Sequence, residues 1–327
     1  MTTRTNRRSY DARQEIIDAI LAAHATSRIL KKKPDIKRYL KQYFVNVPYE
    51  DLAGRDAEIM ARVALDHLEF GATRKRGEAM LRIFNANEKE HGYKSAFTFV
   101  EMVNDDMPFL VDSVAAAINQ QGLAVHITVH PIVSVKRDND GKLTAVTAPD
   151  DADAYSESFI RFAISRTVDE KVIKALHKVI VKTLSDVRVA VRDWGKMRQR
   201  MRETRDLIEN GPKGVDPILR TESQALLDWM VDEHFTFLGY REYKLSKRGN
   251  QTFLNVVKGT GLGILSGKSR SGKSIELTAE MQRLVRSRDW LVLTKANSRS
   301  TVHCPAFLDY VGVKIYDDKG NAVGERR

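Results

Sequence analysis

The chain has 327 residues, 42% of them hydrophobic and 30% charged, with a formal net charge of +11. This excludes a disordered polyelectrolyte and leaves room for two or more domains with a sizeable core. One cysteine, Cys304, excludes an intramolecular disulfide framework and a cysteine-based zinc site.

No apolar run approaches the roughly 18 residues of a membrane-spanning helix. The start, MTTRTNRRSYDARQEIIDAI, has paired arginines but no apolar stretch after them, so it reads as neither a secretory nor a twin-arginine signal. The expectation is a cytoplasmic protein without a membrane partner. The basic residues are spread over Arg28–Lys41, Arg74–Arg76, Lys196–Arg205 and Lys244–Lys273, with no aromatic ladder between them. That pattern suits solvated or interface faces and argues against a nucleic-acid partner.

In chain order, Arg13–Ala25 carries Ile16, Ile17, Ile20 and Leu21 as one helical stripe. Lys31-Lys32-Lys33-Pro34 breaks it, and Asp35–Phe44 and Pro48–Phe70 read as further helices, with Gly71 as a stop. Arg76–Ile83 turns from basic to apolar, with Phe84 continuing it as a strand, and Asn85–Ser95 reads as a linker. Residues 1–93 are therefore expected to be a helical leader.

Ala96–Val103 is an apolar run, expected as a buried strand, and Asn104-Asp105-Asp106 is a tight polar turn. Pro108 suits the first turn of a helix, where a missing N–H costs nothing. Leu110, Val111, Val114, Ala117 and Ile118 recur at helical spacing, and Gly122 suits the stop. Ala124–Val135 is rich in β-branched residues and reads as a second strand. Glu157–Arg166 alternates as a third strand, Asp169–Leu184 is an amphipathic helix, and Val187–Trp194 reads as a short closing strand. The order βαββαβ is the ferredoxin-like plan, placed at 94–210.

Gly211-Pro212-Lys213-Gly214 is the clearest boundary signal. Beyond it, Glu222–Glu233 reads as a helix with Ala225, Leu226, Trp229 and Met230 inward. His234–Leu245 and Gln251–Val257 read as strands around a Lys247–Asn250 turn. Thr278–Arg286 is a helix, and Trp290–Thr294 and Val311–Tyr316 are strands. This is a mixed α+β domain at 215–327, with no element expected after the Asp318-Lys319-Gly320 turn and hence an incomplete end.

Several motifs suggest chemistry. Gly267–Ser274 matches the phosphate-loop pattern letter for letter, but too few residues follow to build the parallel sheet such a loop needs. Gly259-Thr-Gly261-Leu-Gly263 is part of a dinucleotide fingerprint without its third glycine or the closing acidic residue, and suits a turn better. Asp138, Asp140 and Gly141, and the acidic 149–153 segment, miss the spacing of a calcium loop. His126 and His130 lack further zinc ligands, His234 beside Phe235 and Phe237 reads as structural, and the His303-Cys304 pair has no third group placed by sequence. Asp105, Asp106 and Asp112 flank a helix start, where carboxylates cap N–H groups.

The segment Asp106-Met-Pro-Phe-Leu-Val-Asp-Ser-Val114 resembles the opening of an ACT domain. ACT domains are ferredoxin-like regulatory modules that bind amino acids at paired interfaces. The resemblance implies an effector loop at Asp106, Pro108, Phe109 and Asp112. Phe109 stands where glycine is common, and its bulk is expected to close that site.

A broader likeness joins Asn104–Val114, His130-Pro131, Glu157-Ser-Phe159, Ala190–Trp194 with Met197, and Trp229 through His234–Arg241. Together these resemble the N-terminal region of the large bacterial NAD-specific glutamate dehydrogenases, from about Tyr39 to the end. The resemblance implies ACT-like and PAS-like modules, with Asp309–Val313 inside the latter. It implies a parent that oxidises L-glutamate to 2-oxoglutarate and ammonia with NAD. No catalytic, cofactor-binding or metal-ligating residue is expected in this chain. The implied role is regulatory or assembly-forming, in a homo-oligomer, with the C-terminal dehydrogenase portion as partner and an amino acid as effector. The rival readings are a stand-alone amino-acid sensor and a nucleotide-binding protein using Gly267–Ser274.

Overall fold

The computed structural model describes residues 12–23, 36–211, 216–266 and 274–327. The chain forms two compact units, Met1–Leu184 and Ser185–Arg327. The division falls inside one long helix rather than at the expected 93/94 and 210–215 boundaries.

In the first unit, helices α1 (12–23), α2 (Ile36–Phe44), α3 (Tyr49–Leu52) and α4 (Ala57–Phe70) come first. Then follow β1 (Met80–Asn85), α5 (Glu88–His91), β2 (Thr98–Asp105), α6 (Leu110–Gln120), β3 (Val125–Val129), β4 (Ile132–Arg137), β5 (Leu143–Val146), β6 (Tyr155–Ile164) and α7 (Glu170–Glu209). The strands form a sheet in the order β1-β2-β6-β4-β5, with β3 also on β6. β3 and β4 pair in succession along β6, as one expected strand interrupted at His130-Pro131. Proline has no N–H for the ladder, but the Pro131 carbonyl still accepts from the Phe159 N–H at 3.0 Å.

The expected closing strand, Val187–Trp194, is helix within α7. Its alternation Val-Arg-Val-Ala-Val suits a strand, but Val187, Ala190, Met197, Met201 and Ile208 are buried at helical spacing. The place beside β2 is taken by β1, which pairs with it antiparallel from Met80↔Val103 to Asn85↔Thr98. The expected linker contains α5, with Asn87 capping the Glu90 N–H and Gly92 left-handed at its end.

The central strands β2 and β6 are buried on both faces. Glu101, Val103 and Asp105 of β2 share one face with Arg161, Phe159 and Glu157 of β6, each directly opposite. Phe159 and the apolar positions of β4 and β5 join Ile20, Tyr39, Leu40, Tyr43 and Ala64 of the leader helices in one core. The Tyr39 and His67 rings meet Phe159 edge-on, at centroid distances of 5.7 and 5.2 Å. On the opposite face Val100, Met102, Ile160, Phe162 and Ile164 are buried, as are Leu110, Val114, Ala117 and Ile118 of α6 and Leu176 and Ile180 of α7. The leader is thus part of this domain.

In the second unit, after residue 185 of α7, come α8 (Pro217–Trp229), a π-type turn Met230–His234, β7 (Gly239–Tyr240), β8 (Glu242–Arg248), β9 (Gln251–Val256), β10 (Leu262–Gly263), β11 (Ile275–Glu276), α9 (Ala279–Arg286), β12 (Leu291–Arg299), β13 (Phe307–Tyr316) and β14 (Ala322–Arg326). The main sheet runs β11-β9-β8-β14-β13-β12, all antiparallel. A strand therefore does follow the Asp317–Gly320 turn, and it inserts between β13 and β8. In α8 the buried stripe is Ser223, Leu227 and Met230, so Ala225 and Trp229, expected inward, face solvent.

If the leader and sheet share one core, Leu40→Ala, at a fully buried site, should cost about 2–5 kcal/mol. Amide exchange in β2 and β6 should accelerate with it. Unchanged protection in those strands would instead mark the leader as independent.

Candidate functional site

The turn between β2 and α6 contains Asp106, Pro108 and Phe109 of the expected effector loop, and Asp112 lies in the first turn of α6. The helix begins at Leu110, not Pro108, and Phe109 is its N-cap with φ 72° and ψ 0°. This left-handed conformation costs a residue with a Cβ about 1–2 kcal/mol relative to the right-handed form. The backbone keeps the geometry glycine would supply although the side chain is phenylalanine. The Phe109 carbonyl then accepts from Ser113 N–H at 3.1 Å, which starts the helix. Pro108 is exposed, and Asp112 is exposed in the first helical turn, where its charge faces the positive end of the dipole.

Asp106 does not cap the helix. Its Oδ1 accepts from Ser158 Oγ at 2.6 Å, and Ser158 Oγ lies 3.0 Å from His130 Nε2. The serine is fully buried on β6. With its proton given to Asp106, its oxygen accepts from the Nε2–H of His130. Serine nucleophiles need the reverse order, with the imidazole taking the hydroxyl proton. The relay therefore ties the β2–α6 turn and the β3–β4 break to β6 rather than activating Ser158. Burial holds His130 below its ordinary pKa, against the pull of the Asp106 charge.

Asp105, also expected as a cap, instead pairs with Arg74 at 2.8 Å and accepts from Gly77 N–H at 3.0 Å. Arg74 and Arg137 both bind the fully buried Glu157, each at 2.7 Å. Two registers along, Arg82, Glu101 and Arg161 stand side by side on β1, β2 and β6. Arg82 Nε donates to Glu101 at 2.7 Å, Arg161 pairs with the other oxygen, and Asp66 pairs with Arg82 at 2.6 Å. Burial alone would raise the Glu101 carboxyl, but the cations around it hold it below its ordinary range. His67, fully buried beneath, lies 3.2 Å from the Met102 carbonyl through Nε2 and 3.0 Å from the Tyr43 hydroxyl through Nδ1. The carbonyl can only accept, so Nε2 carries the proton and the tyrosine donates to Nδ1. Burial pushes its pKa down to about 4.

The remaining motifs resolve into packing and turns. His126 is exposed on β3, 3.3 Å from Ser165 Oγ. His234 stacks on Trp229, with centroids 5.0 Å apart. Cys304 is exposed, beside His303 at φ 68°. Within the fingerprint-like glycines, Gly263 donates its N–H to the buried Asp193 at 2.9 Å, and a Cβ there would lie 2.2 Å from the Leu238 carbonyl oxygen. That close approach, not a phosphate, accounts for the glycine. Asp138 accepts from the N–H groups of Asp140 and Lys142 in the β4–β5 turn, and Asp151 pairs with Lys136 at 3.0 Å. Among the described residues no group of three acidic, histidine or cysteine side chains could hold a metal. Gly267–Lys273 of the phosphate-loop match lies outside the described residues. Glu101 and Arg161 were missed by sequence reasoning, although a lone charge in Thr98–Val103 and another in Phe159–Ile164 were signals, and Glu157 and Ser158 entered only as part of the Glu157-Ser-Phe159 motif without a role.

The sheet, its two flanking helices and the Pro-Phe turn define an ACT domain, and residues 39–180 match the family model described as glutamate dehydrogenase, ACT1 domain. The match begins in α2, which agrees with the leader sharing the sheet's core. The chain is 30% identical over 308 residues, 92% of its length, to an NAD-specific glutamate dehydrogenase of Halomonas elongata. It is 28% identical over 96% of its length to that of Pseudomonas aeruginosa, and 24% identical over 80% to that of Mycobacterium tuberculosis. The chain is thus similar, over nearly all of its length, to an N-terminal region of these dehydrogenases. The chain spans about a fifth of the length of the first two of these relatives, and 15% of the third. Among the described residues no helix is long and apolar enough to cross a membrane.

The left-handed backbone at position 109 should rank substitutions there. Phe109→Asn should be about 1 kcal/mol more stable in urea melts than Phe109→Val, because asparagine tolerates this conformation and a β-branched residue does not. His67 sets a second expectation. Its folded pKa lies below the unfolded value near 6.5, so its contribution is complete above that pH. It is lost as pH falls towards 4, by about 3 kcal/mol. Urea midpoints between pH 7 and 4 should show this slope, and His67→Gln should flatten it.

Proposed function

We propose that this chain is a non-catalytic regulatory and assembly region of an NAD-dependent glutamate dehydrogenase. The parent would convert L-glutamate, NAD and water to 2-oxoglutarate, ammonia and NADH in the cytoplasm, with NAD bound elsewhere in the protein. The observation that carries this reading is the share of each chain matched: nearly all of this one, but about a fifth of its two most similar relatives named above. The ACT domain supports the regulatory part.

The second unit is read as PAS-like. Counting β8 as the first strand, the order β9-β8-β14-β13-β12 is 2-1-5-4-3, with α9 in the crossover between the second and third, and this supports that reading. At the Asp106, Pro108, Phe109 and Asp112 loop, the half-buried Phe109 occupies the turn that an amino acid would approach. The loop is then closed, and the domain acts as an interaction module for the dehydrogenase portion or for another copy of the chain.

NADH formation from L-glutamate and NAD should be absent in the 327-residue chain and present in a longer protein that contains it. Activity in the short chain would overturn the non-catalytic reading. Activity in neither would remove the dehydrogenase reading. Thermal stabilisation of the chain by any of the common amino acids at millimolar concentration would show the loop open, since a ligand that binds only the folded state stabilises it by mass action.

A further inference from the structure

The leader helices do not fill all the space above the sheet. Between α2–α4 and strands β2, β3 and β6 lies a cavity of about 280 Å³. Its walls are apolar and include Phe44, Met60, Val63, Ile127, Val129 and Ala163. Arg161 also lines it, but its charge is already matched. It pairs with Glu101, and the nearby Arg82 pairs with Glu101 and Asp66. The mouth is balanced too, with Asp51 and Asp56 against Arg55 and Lys94.

One polar group is left over. Tyr93 is buried, at 6% exposure, and lines the same cavity. Its oxygen accepts from Arg161 at 2.7 Å, and among the described residues its own hydroxyl proton meets no acceptor. A buried donor without a partner is unfavourable, and a ligand that supplies the acceptor relieves it. The guanidinium that orients Tyr93 is itself fixed, 3.8 Å above the Phe99 ring.

We propose that this cavity binds an uncharged, largely apolar small molecule that carries one hydrogen-bond acceptor, received by the Tyr93 hydroxyl. Such sites combine an apolar lining with few placed polar groups. A 150 Å³ cavity takes benzene, so this volume admits about ten to twelve non-hydrogen atoms. A carboxylate fits poorly, because no positive charge remains to neutralise it and its desolvation would go uncompensated. The site is separate from the Asp106–Asp112 loop and does not depend on the dehydrogenase reading.

Three probes of one shape test this on the whole chain: propiophenone, its hydrocarbon counterpart propylbenzene, and 3-phenylpropanoate. Binding is followed by calorimetry and by methyl shifts of Ile59, Met60, Val63 and Ile127. The ketone should bind and move those methyls, with the carboxylate at least about tenfold weaker. Tyr93→Phe should weaken the ketone about tenfold and leave the hydrocarbon unchanged. Ile59→Trp should block all three; Ile59 is 43% exposed on α4 at the mouth, so folding should tolerate the change. Tighter binding of the carboxylate would overturn the proposal. So would ketone binding unmoved by either variant, or shifts confined to other methyls.

Discussion

Strand β6 has no face for water. Phe159, Ile160, Phe162 and Ile164 are all fully buried on alternating sides of it, so the sheet requires cover above and below. α6 and α7 are the two helices a ferredoxin-like plan provides, and they suffice for one face. The other face carries Phe159 together with Arg161, Glu101, Glu157 and Asp105, and the leader helices cover it. Burying that many charges is tolerable because each carboxylate has a guanidinium within direct reach. Removal of one partner would strand the other, which is the costly half of such an arrangement. The pairs also hold β1, β2 and β6 in register, since a slip of one residue would send Arg82 or Arg161 to the opposite face.

That constraint explains how the domain manages without the expected closing strand. A sheet edge beside β2 would leave unpaired N–H and C=O groups, and β1 supplies the missing partner from earlier in the chain. Arg82 ties β1 electrostatically to β2 and to Asp66 on α4. The segment freed from strand duty is then able to continue as α7. The polar residues of that helix's buried side have their own uses: Asp193 receives Gly263 N–H, and Asp186 receives the Thr301 hydroxyl at 2.6 Å.

Local elements with a strong period or a turn signal were legible in the sequence. The β2–α6–β3 unit, the β8–β9 hairpin at Gly249 and α9 behind its Thr278 cap all follow from residue order and turn chemistry, whereas β5 lies in a stretch that carried no strand expectation. What failed were choices between two periods that fit equally well. Val187–Trp194 alternates like a strand, yet its apolar positions also lie three or four apart, and the longer stripe from Val187 to Ile208 favours the helix. In α8, Trp229 looks like an anchor by size, but the stripe set by Ser223, Leu227 and Met230 leaves it outside. The turn between β2 and α6 was legible as a turn, but its connections were not, because Asp106, Ser158 and His130 are brought together only by strand pairing.

Phe109 joins the local and the global arguments. A phenylalanine in the left-handed region is a local conflict. It persists because the turn is held from both sides: Asp106 by Ser156 and Ser158 on β6, and Leu110 by burial in the core. Backbone strain of about 1–2 kcal/mol is small beside the burial that fixes its flanks. The same rigid frame makes the turn a poor place for a loop that must open and close. The space above the leader-covered face is different, because there the apolar walls meet around a cavity and, among the described residues, leave the Tyr93 hydroxyl proton without an acceptor. If this domain senses a small molecule, the physics of the two sites favours the cavity between helices and sheet over the turn that Phe109 occupies.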